Sequence, residues 1–196
     1  MLKPQYICRT CALQGIGCCR TPNAIFMAIP EAIKIHQNIG LKYSEFLMFT
    51  NFLEIQFQEA FKDLLPSGKT LALIHKEEDA CFFLTGKGCR IPHLKPYVCR
   101  VFPCWYDQDV YKESGTISLF IEEQQCQLGS KMEELHNMDE ACRRFLGVSE
   151  QEIKEILKNA FHYYEIARRF EYLFESMTLD DAFAEIEKIL LTTYRP

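Results

Sequence analysis

Cysteines carry most of the chemistry that this sequence offers. Ten of the 196 residues are cysteines, and eight of these lie in two short stretches. The first stretch holds Cys8, Cys11, Cys18 and Cys19, and the second holds Cys81, Cys89, Cys99 and Cys104. Clustered cysteines in a reducing compartment are typical of metal sites rather than of disulfides. The two stretches therefore predict a metal centre closed by distant parts of the chain.

The spacing of the cysteines bears on the choice of metal. Cys8-x2-Cys11 can turn two sulfurs to one centre, as in zinc knuckles and iron–sulfur proteins. The second stretch contains no further C-x2-C pair, and its irregular spacing favours an iron–sulfur cluster, with zinc still permitted. The adjacent sulfurs of Cys18 and Cys19 tend to point apart in an extended chain, so one of them can ligate while the other packs or serves a second centre.

The candidate ligands outnumber the four that a single centre needs. We expect either two centres or one centre with spare thiols beside it, with a 4Fe-4S cluster as the first choice of cofactor and zinc as the alternative. The ligand pool is Cys8, Cys11, Cys18, Cys19, Cys81, Cys89, Cys99, Cys104 and Cys126. The tenth cysteine, Cys142, falls on a predicted helix far from the others in sequence and is interpreted as a buried thiol.

Both cysteine stretches lack acidic residues. Residues 1–30 and 80–106 contain lysine and arginine but no aspartate or glutamate. Nearby cations lower thiolate pKa values and offset the negative charge of a thiolate site. We interpret the acid-free stretches as the electrostatic surroundings of the metal centre, the alternative being that two loops lack acids by chance.

These motifs resemble the YkgJ-type cysteine-cluster family, whose members are described as zinc- or iron-chelating domains with a CxxCxxCC signature. The resemblance covers residues 5 to 130. The matching segments are Cys8-x2-Cys11, Cys18-Cys19, Cys81-Phe82-Phe83-Leu84, Gly88-Cys89-Arg90-Ile91, residues 95–104 (KPYVCRVFPC) and Cys126 with Gly129. Six residues separate Cys11 from Cys18, where the family name implies two.

The resemblance implies metal binding without one reaction. A flagellin lysine methylase carries a similar cysteine domain, which makes a methyltransferase-like enzyme a further alternative. The chain has no convincing S-adenosylmethionine loop and lacks the Cys-x3-Cys-x2-Cys run of radical enzymes. A zinc-stabilised module that binds a protein partner is the alternative from another class. The sequence assigns no catalytic residue.

Arg100 is the one candidate for a cofactor-binding side chain. It follows Cys99 directly, in the acid-free stretch and in the most specific part of the family resemblance. Its permanently charged guanidinium could offset a thiolate site or hold an anionic ligand beside it. The structural alternative is that it hydrogen-bonds loop carbonyls around Pro96 and Pro103.

The elements that must position these residues follow from periodicity and capping signals. Residues 24–29, 70–75, 81–84 and 116–121 are predicted as strands, and prolines are expected to keep residues 92–104 irregular. Helices are predicted at 31–38, for about twenty residues after a cap at Ser44, from residue 130 to Gly147, from the Ser149-x-x-Glu152 capping box, and from Thr178 to Leu191.

The fold class expected is helix-rich α+β, with a small β-sheet, a loop-built cysteine site and a C-terminal helical part. Residues 1–130 are interpreted as the metal-binding domain and residues 131–196 as a helical extension packed on it. Apolar residues make up 48% of the chain and charged residues 25%, which is typical of a soluble globular protein. With no signal peptide or membrane span evident, we expect a cytoplasmic protein and no nucleic-acid or membrane partner.

Overall fold

A computed structural model describes residue 19 and residues 25–51, 68–76, 80–121 and 127–193. Within these residues the protein is helix-rich and carries small two-stranded antiparallel sheets, which confirms the expected α+β class. None of the helices in this part of the chain is long and apolar enough to cross a membrane.

The helices and strands are numbered here in chain order. They are α1 (Ile29–Ile39), α2 (Tyr43–Phe46), β1 (Leu47–Asn51), β2 (Lys69–Leu73), β3 (Leu84–Thr85), β4 (Gly88–Cys89), α3 (Tyr97–Val101), β5 (Cys104–Tyr106), α4 (Gln108–Ser114), β6 (Leu119–Ile121), α5 (Gln127–Glu133), α6 (Met138–Ala141), a π-helix (Cys142–Leu146), α7 (Glu150–Ser176) and α8 (Leu179–Thr193).

The chain divides into two compact units, each made of two separate segments. Unit 1 comprises Met1–Asn23 and His75–Ala160, and unit 2 comprises Ala24–Ile74 and Phe161–Pro196. The division expected at residue 130, between a metal-binding domain and a helical extension packed on it, stays a prediction.

Unit 2 contains the β1–β2 sheet, in which Leu47 lies opposite Leu73 and Asn51 opposite Lys69. On its other side, β2 bonds to the extended segment before α1, since the Met27 N–H donates to the Leu71 carbonyl at 3.0 Å. The strand predicted at 24–29 is therefore present as this short extended segment, and α1 begins at Ile29.

The prediction of a twenty-residue helix after Ser44 is wrong over its first part. Helix α2 ends at Phe46, and β1 follows at once; residues 52–67 lie outside the described residues. Aromatic and β-branched residues in this segment suit a strand, and pairing with β2 overrides the helical spacing of its apolar residues. Ser44 caps no helix, because its N–H and hydroxyl both donate to Asp180.

Several local predictions are confirmed. Helix α1 covers the helix predicted at 31–38 and ends at Gly40, whose φ of 70° is a left-handed conformation that favours glycine. The capping box before α7 is also present, since the Ser149 N–H donates to Glu152 at 2.7 Å and the Glu152 N–H donates to the Ser149 hydroxyl at 3.2 Å. These devices depend only on neighbouring residues.

Unit 1 contains the short β3–β4 hairpin, the antiparallel β5–β6 pair and all six cysteines that the structure describes. The segment 92–104, expected to be irregular, instead contains α3 and the start of β5. Pro96 is the residue that precedes the first turn of α3, where its missing N–H costs no helical hydrogen bond. Pro96 therefore precedes the helix that carries Cys99 instead of keeping this segment irregular.

Candidate metal centre

Four cysteines from four places in unit 1 lie close enough for their sulfurs to interact electrostatically. Cys19 raises the pKa values of Cys81, Cys89 and Cys99, and Cys81 and Cys89 each raise that of Cys99. We call these four residues the thiol cluster. The structure thus brings one cysteine of the first sequence stretch together with three of the second.

Backbone hydrogen bonds hold the thiol cluster in place. The Cys81 N–H donates to the Cys19 carbonyl at 2.9 Å, and Cys81 also forms an isolated β-bridge with His75. Cys89 lies in β4, opposite Leu84 of β3. Cys99 lies in the first turns of α3, and its N–H donates to the Pro96 carbonyl at 2.9 Å.

Backbone N–H groups lie close to two cysteines of the thiol cluster. Those of Phe83 and Leu84 lower the pKa of Cys81, and that of Ile91 lowers the pKa of Cys89, because an N–H dipole stabilises negative charge on sulfur. The Leu84 N–H also donates to the Cys81 carbonyl at 2.8 Å. Hydrogen bonds of this kind tune thiolate ligands in iron–sulfur proteins.

Burial acts in the opposite direction. Loss of water around Cys81 is the largest effect and raises its pKa to about 11, while burial also raises the pKa of Cys89 and takes that of Cys99 well above its ordinary value. Burial therefore favours the neutral thiol at Cys81, Cys89 and Cys99. A metal ion would reverse this balance, since metals bind cysteine as thiolate.

Lys95 is the cation that the structure places beside the thiol cluster. Its charge lowers the pKa of both Cys89 and Cys99. Lys95 belongs to the acid-free stretch 80–106, and the role of that stretch around a metal centre stays a prediction. Arg100 is exposed at the end of α3, and its backbone N–H donates to the Pro96 carbonyl at 3.1 Å. Its predicted contact with a cofactor stays a prediction.

Cysteine sulfurs are suitable ligands for a metal ion, but the described residues do not form a complete ligand shell. Cysteine sulfurs with N–H donors and a neighbouring lysine are the surroundings that zinc and iron–sulfur centres use. Among the described residues, however, no three side chains of histidine, cysteine, aspartate or glutamate converge closely enough to hold a metal ion. The predicted ligands Cys8, Cys11, Cys18 and Cys126 lie outside the described residues.

Cys104, also in the predicted ligand pool, lies in a different contact. It begins β5, and its sulfur is 3.7 Å from that of Cys142, the first residue of the π-helix. Both residues have no exposed surface. Their hydrogen bond raises the pKa of Cys104 and lowers that of Cys142, and either thiol can be its donor. Cys142 is buried as predicted, but nothing in the sequence spacing relates it to Cys104.

Comparisons with family models, curated proteins and solved structures find no match to this chain. The resemblance to the YkgJ-type family therefore stays a prediction, and the case for a function depends on the residues of unit 1.

Proposed function

We propose that this protein binds a metal centre through cysteine thiolates, with an iron–sulfur cluster of the 4Fe-4S type as the bound group, and acts in electron transfer, redox sensing or a cluster-assisted reaction. The ligands come from the thiol cluster together with the N-terminal cysteines Cys8, Cys11 and Cys18. Such a cluster supplies one-electron redox chemistry when bound.

The observation that carries this proposal is the conflict of forces at Cys81 and Cys89. Backbone N–H groups near both sulfurs lower the pKa of these cysteines and favour the thiolate, whereas burial and neighbouring thiols raise the pKa and favour the neutral thiol. A buried thiol needs no such donors, whereas a thiolate at these positions requires nearby positive charge. A bound metal cation removes the conflict, because it neutralises the thiolates and leaves the N–H donors satisfied.

The chain's own residues then have distinct tasks. The β3–β4 hairpin and α3 set the positions of Cys89 and Cys99, the N–H groups of Phe83, Leu84 and Ile91 stabilise charge on sulfur, and Lys95 offsets part of the remaining charge. Arg100, next to Cys99, would add a second cation at the rim. We propose a cytoplasmic location for this activity, because a reducing compartment keeps thiolate ligands available to a metal.

The decisive experiment is elemental and spectroscopic analysis of the full chain purified without oxygen. We expect iron and sulfide together with absorption at about 400 nm that bleaches on reduction with dithionite. Colourless protein with stoichiometric zinc would replace the iron–sulfur assignment with the zinc-stabilised interaction module. Protein that contains neither metal would refute the proposal in both forms.

Variants connect the metal to the thiol cluster. Cys81→Ala and Cys89→Ala should each lose most of the bound metal, because each removes a sulfur whose negative charge backbone N–H groups stabilise. Cys142→Ala is the matched control, since it also removes a buried thiol of unit 1 but one that contacts Cys104. Equal loss of metal in all three variants would indicate a general folding defect and contradict the assigned ligands.

Arg100 is tested by its effect on potential rather than on folding. Arg100→Met should keep the metal and show a lowered reduction potential, because reduction adds negative charge that the guanidinium no longer offsets. An unchanged potential in a fully loaded variant would remove Arg100 from the site. Arg90→Met is the comparison, since Arg90 is likewise exposed and also follows a cysteine of the cluster directly.

A further inference from the structure

Cys104 and Cys142 form a second reactive group of unit 1, separate from the thiol cluster. Their sulfurs are 3.7 Å apart, and neither residue has exposed surface. A disulfide bond measures about 2.05 Å, so the sulfurs need to approach by about 1.7 Å. That approach requires rotation about the Cα–Cβ bonds of the two cysteines.

The neighbouring carboxylates do not complete a metal site around this pair. Asp139 and Glu150 both act electrostatically on Cys142, yet each is engaged elsewhere. Asp139 accepts from Arg143 at 2.7 Å and from the Glu150 N–H at 2.9 Å, and the Glu150 carboxylate pairs with Lys154 at 2.6 Å. These carboxylates stabilise the helices around the π-helix, and the two sulfurs have each other as reaction partners.

We propose that Cys104 and Cys142 form a reversible disulfide when the protein meets a hydroperoxide. One cysteine attacks the peroxide oxygen as its thiolate, the O–O bond breaks, and the departing oxygen takes up the former thiol proton, so that a sulfenic acid and one water form. The second thiol then attacks that sulfur, the S–O bond breaks, and a second water leaves as the S–S bond forms. The two thiols lose two electrons and two protons in total, and hydrogen peroxide accepts both.

The position of the pair gives the bond a structural consequence. Cys104 and Cys142 are 38 residues apart, and their disulfide would join β5 to the start of the π-helix. Their complete burial selects a small oxidant, because a bulky disulfide such as oxidised glutathione needs more of the chain to open before it reaches a sulfur. The proposal does not depend on the identity of any metal in the thiol cluster.

Peptide mapping tests the bond directly, because trypsin separates the relevant cysteines. Each of three tryptic peptides contains a single cysteine: peptide 101–112 contains Cys104, peptide 132–143 contains Cys142 and peptide 91–100 contains Cys99. The full chain, purified without oxygen, is exposed to about two equivalents of hydrogen peroxide, quenched with catalase, alkylated in denaturant and digested without reductant.

We expect a cross-linked pair of peptides 101–112 and 132–143, lighter by two hydrogens than their sum and removed by dithiothreitol. Its yield should exceed that of a link between 101–112 and 91–100 by at least about tenfold, because the 3.7 Å contact favours Cys142. Recovery of both peptides as separate alkylated, sulfinic or sulfonic species, or linked chiefly to other cysteines, would overturn the proposal.

A second measurement separates this proposal from the metal-binding function. Cys104→Ala should retain the metal content of the natural sequence, with Cys104→Ser in its place if the alanine variant does not fold. Loss of metal as large as in Cys89→Ala would identify Cys104 as a ligand and overturn the disulfide assignment. If the natural sequence binds no metal at all, the proposed function fails while the cross-link remains measurable.

Discussion

Replacing Tyr43 by phenylalanine isolates one buried hydrogen bond of unit 2. The ring of Tyr43 stacks on that of Phe183, with 3.9 Å between centroids, and on that of His36 at 4.5 Å. Its hydroxyl donates to the carboxylate of Glu187. Tyr43→Phe keeps both ring contacts and removes only the hydroxyl, so the change in stability reports the hydrogen bond.

The expected loss at neutral pH follows from the surroundings of both partners. Tyr43 is only 4% exposed, and a hydrogen bond to a charged group contributes about 1.5–3 kcal/mol. Glu187 is half-buried, so water replaces the hydroxyl in the variant and reduces the loss to about 1–2 kcal/mol. For a protein of this length we expect a fall in Tm of about 2–8 °C.

Alkaline pH provides a second and independent test. Burial, assisted by the hydrogen bond and the charge of Glu187, raises the pKa of Tyr43 well above its ordinary value of about 10. Above pH 10 the unfolded chain therefore loses a proton that the folded chain keeps, and the free energy of unfolding decreases as pH rises. At pH 11 this loss is about 1.4 kcal/mol, and the phenylalanine variant does not undergo it.

The assay is urea unfolding of the full chain in reductant, followed by circular dichroism at pH 8 and pH 11. The stability difference between the natural sequence and Tyr43→Phe should narrow by about 1.4 kcal/mol between these two pH values. Tyr172→Phe serves as the control, since Tyr172 is 58% exposed, and it should change stability by less than about 0.5 kcal/mol. A difference that stays constant with pH would refute the reasoning about the buried hydroxyl.

Three further predictions concern other parts of the fold. Ser149→Ala should lower stability by about 1 kcal/mol, because the hydroxyl caps the first turn of α7, and a change below about 0.3 kcal/mol in urea unfolding would contradict that role. Phe83→Ala should cost about 3–5 kcal/mol, since Phe83 is fully buried beside the thiol cluster; thermal melts that match the natural sequence would show that the site has collapsed around the smaller side chain. Lys69→Met should change stability by less than about 0.5 kcal/mol, because its 3.6 Å ion pair with Glu175 is solvent-exposed; a larger loss in the same assay would mean that the pair is coupled to the sheet.

Features that depend on near neighbours in sequence were predictable in this protein. The end of α1 at Gly40 and the capping box of Ser149 each involve residues within four positions of one another, and both are present. The same locality explains why the acid-free stretch around Lys95 was a useful signal for the surroundings of Cys89 and Cys99.

Features that depend on distant partners were not predictable. Residues 47–51 carry apolar side chains at spacings compatible with a helix, and only their pairing with β2, beyond residues 52–67, makes them a strand. Likewise Cys104 sits near Cys99 in sequence but contacts Cys142 in space. The grouping of Cys104 with the ligands, made from its place in the sequence, stays a prediction, whereas its contact with Cys142 follows from the path of the chain after α3.

The interleaved order of the two units also sets the order in which this protein can mature on the ribosome. Cys19 and Cys81 both belong to unit 1, yet the whole of Ala24–Ile74, the first part of unit 2, is synthesised between them. That part can complete unit 2 only after Phe161–Pro196 has emerged. During translation, unit 1 therefore completes first, and the rings of Tyr43 and Phe49 remain without Phe183 and Phe174 until the last segment is made. A chain that ended after Ala160 would carry the described cysteines and leave an aromatic surface exposed to chaperones and proteases.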